Sequence, residues 1–305
     1  MSGAGARNGG PPGAGAGPVA GRRRASHGED ASGAAPEPWD DRYRRFRAAY
    51  AAHRAAEGRG AGGDAERLAL PYLRSGPQAR MWAVRARTFD RFVSAVLAPH
   101  ARRLGRPVNV LDLGAGNGWL CWRVRRLGHA ATAVDLRDDA VDGLGAAAAY
   151  RAHLPALFPR VAASFEALPL ADRTYDIAVF NASLHYALDL AAALREAARV
   201  VVRGGRIAIL DSPFYRSDVD GVAMVAEKRR EAADRFGERA GDLLALPFIE
   251  YLTPARLAEA AAPLGLEWRR RRVLYPFWYE ARPWLARWRG RRAPSRFDLW
   301  EARNP

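Results

Sequence analysis

The chain has 305 residues, a formal net charge of +15 and a single cysteine, Cys121. One cysteine allows neither an intramolecular disulfide nor a cysteine-based metal site, and no metal is expected. No run of 18 apolar residues occurs, and the N-terminus lacks the apolar core of a signal peptide, so nothing is expected to span a membrane and a cytoplasmic location is expected.

The positive charge invites a nucleic-acid partner, but its make-up tempers that reading. Lys228 is the only lysine among 48 basic residues, which points to a composition bias towards arginine as much as to a selected surface. The excess is also uneven. In residues 1–40 four arginines meet four acids, whereas residues 266–305 hold eleven arginines against four acids.

Residues 1–40 are rich in Gly, Ala and Pro, with almost nothing large and apolar to bury. Such a segment cannot offset its own ordering entropy and is expected to be a disordered tail. Residues 41–104 are expected to form a helical extension. Tyr43, Phe46 and Tyr50 lie at helical spacing, a glycine-rich break follows at 58–63, and Trp82, Phe89, Phe92, Val93, Val96 and Leu97 make the apolar face of a helix over 77–104.

From residue 105 to 305 the pattern changes to short apolar runs alternating with helices. Strands are expected at 108–113, 131–135, 161–165, 176–181 and 206–211, with helices at 119–127, 138–150 and 188–202. Gly204 and Gly205 are expected to stop the last of these helices. Thr253-Pro254 has the chemistry of a helix start, and two final strands are expected near 266–275 and 296–302. Runs apolar on both faces, separated by helices, predict an α/β fold with a mostly parallel sheet covered on both sides.

The strongest local signal is Val110-Leu111-Asp112-Leu113-Gly114-Ala115-Gly116-Asn117-Gly118-Trp119, which places three alternating glycines between a strand and a helix. Without Cβ atoms this loop can turn tightly and approach a ligand closely. Asp135, at the end of the next strand, suits a carboxylate that accepts both ribose hydroxyls of a nucleoside. A dinucleotide fingerprint would read G-x-G-x-x-G. Here the third glycine comes one residue early, and Trp119 stands where the last should be. Asp112 would repel a pyrophosphate but favour a ligand carrying an ammonium and a sulfonium.

On these residues the chain resembles the class I, Rossmann-like methyltransferases that use S-adenosylmethionine, in the methyltransferase type 11-like group. VLDLGAGNGWL and AVDL resemble the first two motifs of that family. SFEALPLADRTYDIAVFNASLHY and LREAARVVVRGGRIAILD resemble its later strand and helix regions, so the likeness covers roughly 108–215. It implies a seven-stranded, mostly parallel sheet with helices on both faces and one antiparallel edge strand. It further implies S-adenosyl-L-methionine as cofactor, with contacts from Asp112, Gly114, Ala115, Gly116, Asn117, Gly118, Asp135, Leu136, Ser164, Phe165, Glu166 and Asn181. Ser164 stands where many relatives carry an aspartate for the adenine amino group; Phe165 could stack on the ring and Glu166 could substitute.

The implied activity is methyl transfer to a small-molecule acceptor at O, N or C. A cofactor-binding protein without turnover and an NAD(P)-dependent reductase are the alternatives. Candidate catalytic residues are His185, as a base or as a packed ring bonded to backbone, and Tyr215, lining an acceptor pocket or packed in the core. Asn181 either meets the cofactor or caps its turn, and Tyr72 and Arg85 either cover the cofactor or serve packing and solvation. Asn181-Ala182-Ser183-Leu184 does not match the motif of the nucleic-acid amino-methyltransferases, which argues against a nucleic-acid substrate. Five of nine tryptophans fall between Trp268 and Trp300, interleaved with arginines. This end reads as a solvated basic face, as a peripheral contact with anionic lipid, or as a phosphate-rich partner's site.

Overall fold

The computed structural model describes residues 40–56, 58, 63–237 and 240–305. Apart from Asp40, which opens the first helix, the tail expected at 1–40 lies outside the described residues. Helix α1 (Asp40–Ala56) and α2 (Gly63–Ala69) come first. Then α3 (Ala79–Phe92), a π-turn (Val93–Leu97) and α4 (Ala98–Leu104) follow without leaving helical backbone, across the span expected from the apolar face.

The sheet is built from β1 (Asn109–Leu113), β2 (Ala130–Asp135), β3 (Arg160–Ala162), β4 (Tyr175–Asn181) and β5 (Val201–Leu210), with α5 (Trp119–Arg126) and α6 (Leu190–Val200) among the connections. After β5 come α7 (Asp218–Phe236), α8 (Ala240–Leu243), α9 (Pro254–Ala261), β6 (Trp268–Arg271), α10 (Phe277–Glu280), α11 (Arg282–Trp288) and β7 (Leu299–Arg303). The strand order is β3-β2-β1-β4-β5-β7-β6. The first five strands are mutually parallel, and β7 runs antiparallel to β5 on one side and to the edge strand β6 on the other.

Alternation along the central strands divides the core into two layers. Val110, Ile177, Val179 and Ala208 pack with α3 and α5 on one face, while Leu111, Leu113, Ala178, Phe180 and Ile207 pack with α6 and α9 on the other. Trp119 joins the extension to the sheet, its ring 5.7 Å from Trp82 and 5.6 Å from Phe89.

Three local expectations are corrected. The helix expected at 138–150 is instead a turn followed by a 3-10 helix, Leu144–His153. The Asp139 carboxylate accepts from the N–H groups of Val141 and Asp142, each at 3.0 Å, and this side-chain turn competes with the helical ladder. The strand expected at 161–165 is only three residues long, Arg160–Ala162. Gly204 and Gly205 do not stop a helix, because α6 has already ended at Val200 and the glycines lie within β5. A Cβ on Gly205 would come within 2.8 Å of the Asp176 carbonyl oxygen, so glycine lets β5 close onto β4 where their register shifts. The helix start at Thr253 is as expected, its hydroxyl accepting from the Arg256 N–H.

Candidate active site

At the carboxyl ends of β1, β2, β4 and β5 the chain encloses a cavity of about 950 Å³. Its floor starts with the glycine loop. Gly114 has φ +78°, and a Cβ there would stand 2.3 Å from the Ser183 Cβ, so only glycine lets β1 turn against the loop after β4. Ser183 completes that contact by donating its hydroxyl to the Leu113 carbonyl.

Asp135 connects the loop to β2. One carboxylate oxygen accepts from the Gly116 N–H at 2.7 Å and the other from the Arg137 N–H at 2.7 Å. Burial pushes this carboxyl above the usual range, and the two N–H groups pull it back. Each oxygen retains acceptor capacity after one bond, and Asp135 stands in the cavity wall.

Gly114, Ala115, Gly116, Asn117, Leu136, Ser164, Phe165, Glu166 and Asn181 line the same cavity. Glu166 is already engaged, since one of its carboxylate oxygens accepts from the N–H groups of Leu188 and Asp189 and holds the 164–166 turn to the start of α6. Asn181 is buried, and its side-chain oxygen lacks a hydrogen-bond partner in the protein.

Two of the expected cofactor residues are not brought to the cavity. Asp112 is fully buried beneath the loop, 3.8 Å from the Cys121 thiol, and burial next to Asp135 pushes its carboxyl up to about 8. Its strand parity points it at α5 rather than at a ligand. Gly118 is the residue before α5, and a Cβ there would meet the Phe158 ring at 2.8 Å, so its role is close packing of that helix.

His185 lines the cavity with a buried Nδ1 that has no hydrogen-bond partner. Burial, aided by the Lys228 and Arg85 charges, pulls the imidazole down to about 3. It is therefore neutral at ordinary pH and a weak proton acceptor. Tyr215 is not on the cavity wall; it packs edge-on against Tyr251 and its hydroxyl faces Arg292 at 3.4 Å. Tyr72 likewise turns away, donating to Asp90 at 2.7 Å. Arg85 does line the cavity, its guanidinium 5.0 Å from the Trp82 ring centre.

Several cavity residues were not singled out as site residues from sequence. Helix α1 supplies Tyr43, Phe46, Tyr50 and Arg54 as a cover. Arg54 holds it down with two bonds to one Asp142 oxygen, at 2.9 and 2.8 Å, and Arg47 pairs with Asp138. Tyr50 meets Tyr186, with the hydroxyls 3.3 Å apart. The spacing of the three aromatics revealed the helix, but nothing local marks which surface it covers. From the far side come Trp278, Tyr279 and Arg282.

Asp211 was also missed as a site residue. It follows β5 with φ +51°, just as Ala182 follows β4 with φ +56°, so both neighbouring strands end in a conformation that is costly for residues with a Cβ. Both Asp211 carboxylate oxygens are buried, and neither accepts a hydrogen bond within 3.5 Å. Burial pushes the carboxyl up to about 6, with Arg85 and Thr88 opposing.

Residues 111–209 match the family described as methyltransferase domain. That match runs from β1 into β5 and so takes in the parallel half of the sheet. Over 111 residues the chain is 36% identical to the malonyl-(acyl-carrier protein) O-methyltransferase of Erwinia pyrifoliae, covering 36% of this chain and 39% of that protein. Over 132 residues it is 30% identical to the ubiquinone/menaquinone biosynthesis C-methyltransferase of Nitrobacter hamburgensis, covering 42% of this chain and 51% of that one. The chain thus spans about two fifths of the first of these curated relatives and about half of the second. Among solved structures it is similar to the 1,6-didemethyltoxoflavin-N1-methyltransferase of Burkholderia thailandensis, with 19% identity, a TM-score of 0.44, and 75% of this chain and 90% of that chain covered. The stretch that matches the methyltransferase domain holds the glycine loop, Asp135, Ser164 to Glu166, Asn181 and His185. Arg54, Arg85, Asp211 and Tyr279 lie outside it.

Proposed function

We propose that the chain is an enzyme that transfers a methyl group from S-adenosyl-L-methionine to a small-molecule acceptor held in the same cavity. The observation that carries this reading is the Asp135 carboxylate, tied to the glycine loop yet keeping acceptor capacity towards a cavity large enough for two ligands. A ribose fits that carboxylate, and Phe165 and the Cβ-free loop offer flat, close surfaces for the rest of a nucleoside.

The cofactor would supply a methyl carbon already activated by its sulfonium, so the protein's task is alignment and exclusion of water. Helix α1, latched by Arg54 to Asp142, keeps water from the reacting groups. Asp211 takes the acceptor's proton, because it lines the same cavity and burial raises its carboxyl to about 6, which suits a proton acceptor. His185, held neutral in the same wall, orients the acceptor. The relatives named above are an O- and a C-methyltransferase, so their names leave the methylated atom of this chain's product open.

Calorimetry with S-adenosylhomocysteine and with NADPH tests the cofactor, and the expected result is binding of the former alone. Binding of NADPH alone would replace this reading with a reductase. Binding of S-adenosylhomocysteine, with none released from S-adenosylmethionine across a broad acceptor panel, would replace it with a cofactor-binding protein that does not turn over.

A further inference from the structure

The basic, tryptophan-rich end divides into two parts once its side chains are placed. One part is structural. Arg270 pairs with Asp298 at 2.5 Å, Arg271 with Glu301 at 2.6 Å, and Arg296 with Glu280 at 2.8 Å, and Asp298 and Glu301 are both buried. These arginines neutralise buried acids and are not free for a partner.

The other part is the α10–α11 segment. Phe277 is 86% exposed, Trp284 83%, Trp288 82% and Leu274 74%, and Leu285 is also exposed. Trp82, Trp119, Trp122 and Trp300 are by contrast buried to 8% exposure or less, so among the described residues the strongly exposed tryptophans belong to this segment. Trp284, Leu285 and Trp288 share one face of α11 at i, i+1 and i+4. Exposed Arg287, Arg289 and Arg291 follow, and among the described residues none has an acidic partner within ion-pair distance.

We propose that α10–α11 docks on an anionic lipid surface, the aromatic and leucine side chains entering the headgroup boundary and the three arginines meeting lipid phosphates. Tryptophan and arginine together suit that boundary, because an indole has an apolar body with a polar edge and a guanidinium binds phosphate while its stem remains in apolar surroundings. A second copy of the chain is a poorer occupant, since symmetric pairing through this face would bring unpaired arginines together. A nucleic acid would satisfy the arginines but leave Leu274 and Leu285 in water. Docking here also has a geometric consequence. Tyr279 and Arg282, on the same segment, line the cavity, so the lipid boundary would lie beside its wall. The docking inference does not depend on the methyl-transfer reading.

The test is flotation of the full chain with vesicles of phosphatidylcholine, with and without phosphatidylglycerol. Binding is expected to the anionic vesicles and to weaken as salt rises. The double variant W284A/W288A should lower the partition coefficient about tenfold or more, and each of R287Q, R289Q and R291Q about fivefold. Because these side chains are exposed, the variants should melt as the parent does, which separates lost docking from lost folding. The proposal is overturned by absence of flotation, by equal flotation of parent and W284A/W288A, or by salt-sensitive binding to homopolymer RNA without flotation. Self-association that W284A/W288A abolishes, without vesicle binding, would overturn it as well.

Discussion

Replacing Asp135 separates a ligand-binding carboxylate from one that merely braces the loop. In the ligand-free protein each oxygen accepts one backbone N–H at 2.7 Å, and the carboxyl is nonetheless pushed above its ordinary range by burial. The anion is therefore held at a net cost until something else satisfies its remaining acceptor capacity. Hydrogen bonds to a charged group contribute about 1.5–3 kcal/mol, so D135A should weaken S-adenosylhomocysteine binding by roughly ten- to hundredfold in calorimetry. D135N adds the discriminating measurement. Its neutral amide escapes the charge-burial cost, keeps one acceptor for one N–H, and leaves the other N–H facing a donor, which costs about 1–3 kcal/mol. These effects oppose one another, so the ligand-free melting temperature should stay near that of the parent while affinity falls. A purely structural role predicts the same melting behaviour with affinity retained. Unchanged affinity in a folded D135A protein would refute the ribose assignment.

The pH dependence of turnover should follow Asp211. Its carboxyl is raised to about 6, and on the proposed reading it would accept the proton only when ionised, so kcat/KM should rise with pH through about 6 and then level off. D211N should abolish that limb. His185 is held near 3 and should contribute no limb between about pH 5 and 8, so H185Q should lower the rate without moving the profile. Stability has the opposite sign. A folded-state carboxyl raised above its unfolded value makes the fold less stable as pH rises between the two values, and D211N should remove that loss in thermal melts. Among the glycines, G114A should lower the melting temperature far more than G116A, since a Cβ at Gly114 would stand 2.3 Å from the Ser183 Cβ, whereas one at Gly116 would meet only the Asp142 carbonyl oxygen at 3.5 Å. Equal melting shifts would show that the β1–β4 contact is not what requires glycine at 114.

The sheet and the glycine-loop wall of the cavity were legible in the sequence because their signals are local. The apolar runs of β1, β2, β4 and β5 and the glycine loop after β1 each declare themselves within about ten residues, and Asp135 lies at a readable spacing from the loop. Asp112 and Gly118 belong to the same motif but serve its packing, a distinction that depends on strand parity and on Phe158, far from Gly118 in sequence. The expected helix at 138–150 failed because an aspartate turn and two closely packed glycines, Gly143 and Gly145, outweighed the helical preference of the alanine run from Ala146 to Ala149. The acceptor side was least legible. Helix α1, Arg85, Asp211 and Tyr279 come from four distant parts of the chain, and only the fold brings them to one wall.

The charges on that wall constrain the acceptor. Arg54 is neutralised by Asp142, but Arg85 has no carboxylate within ion-pair distance among the described residues, and burial pulls its guanidinium below the usual range against the opposing charge of Asp211. A buried cation that is only weakly compensated favours an anion brought by a ligand. The neighbouring Asp211 disfavours that anion at first, since its own ionised form is negative. The two demands are met together by an acceptor that carries a negative group towards Arg85 and a proton-bearing nucleophile towards Asp211. On the proposed reading, transfer of that proton to Asp211 would make the carboxyl neutral just as negative charge grew on the nucleophile. Arg85 and Asp211 would then act as one unit, with the first selecting an acidic acceptor and the second accepting its proton.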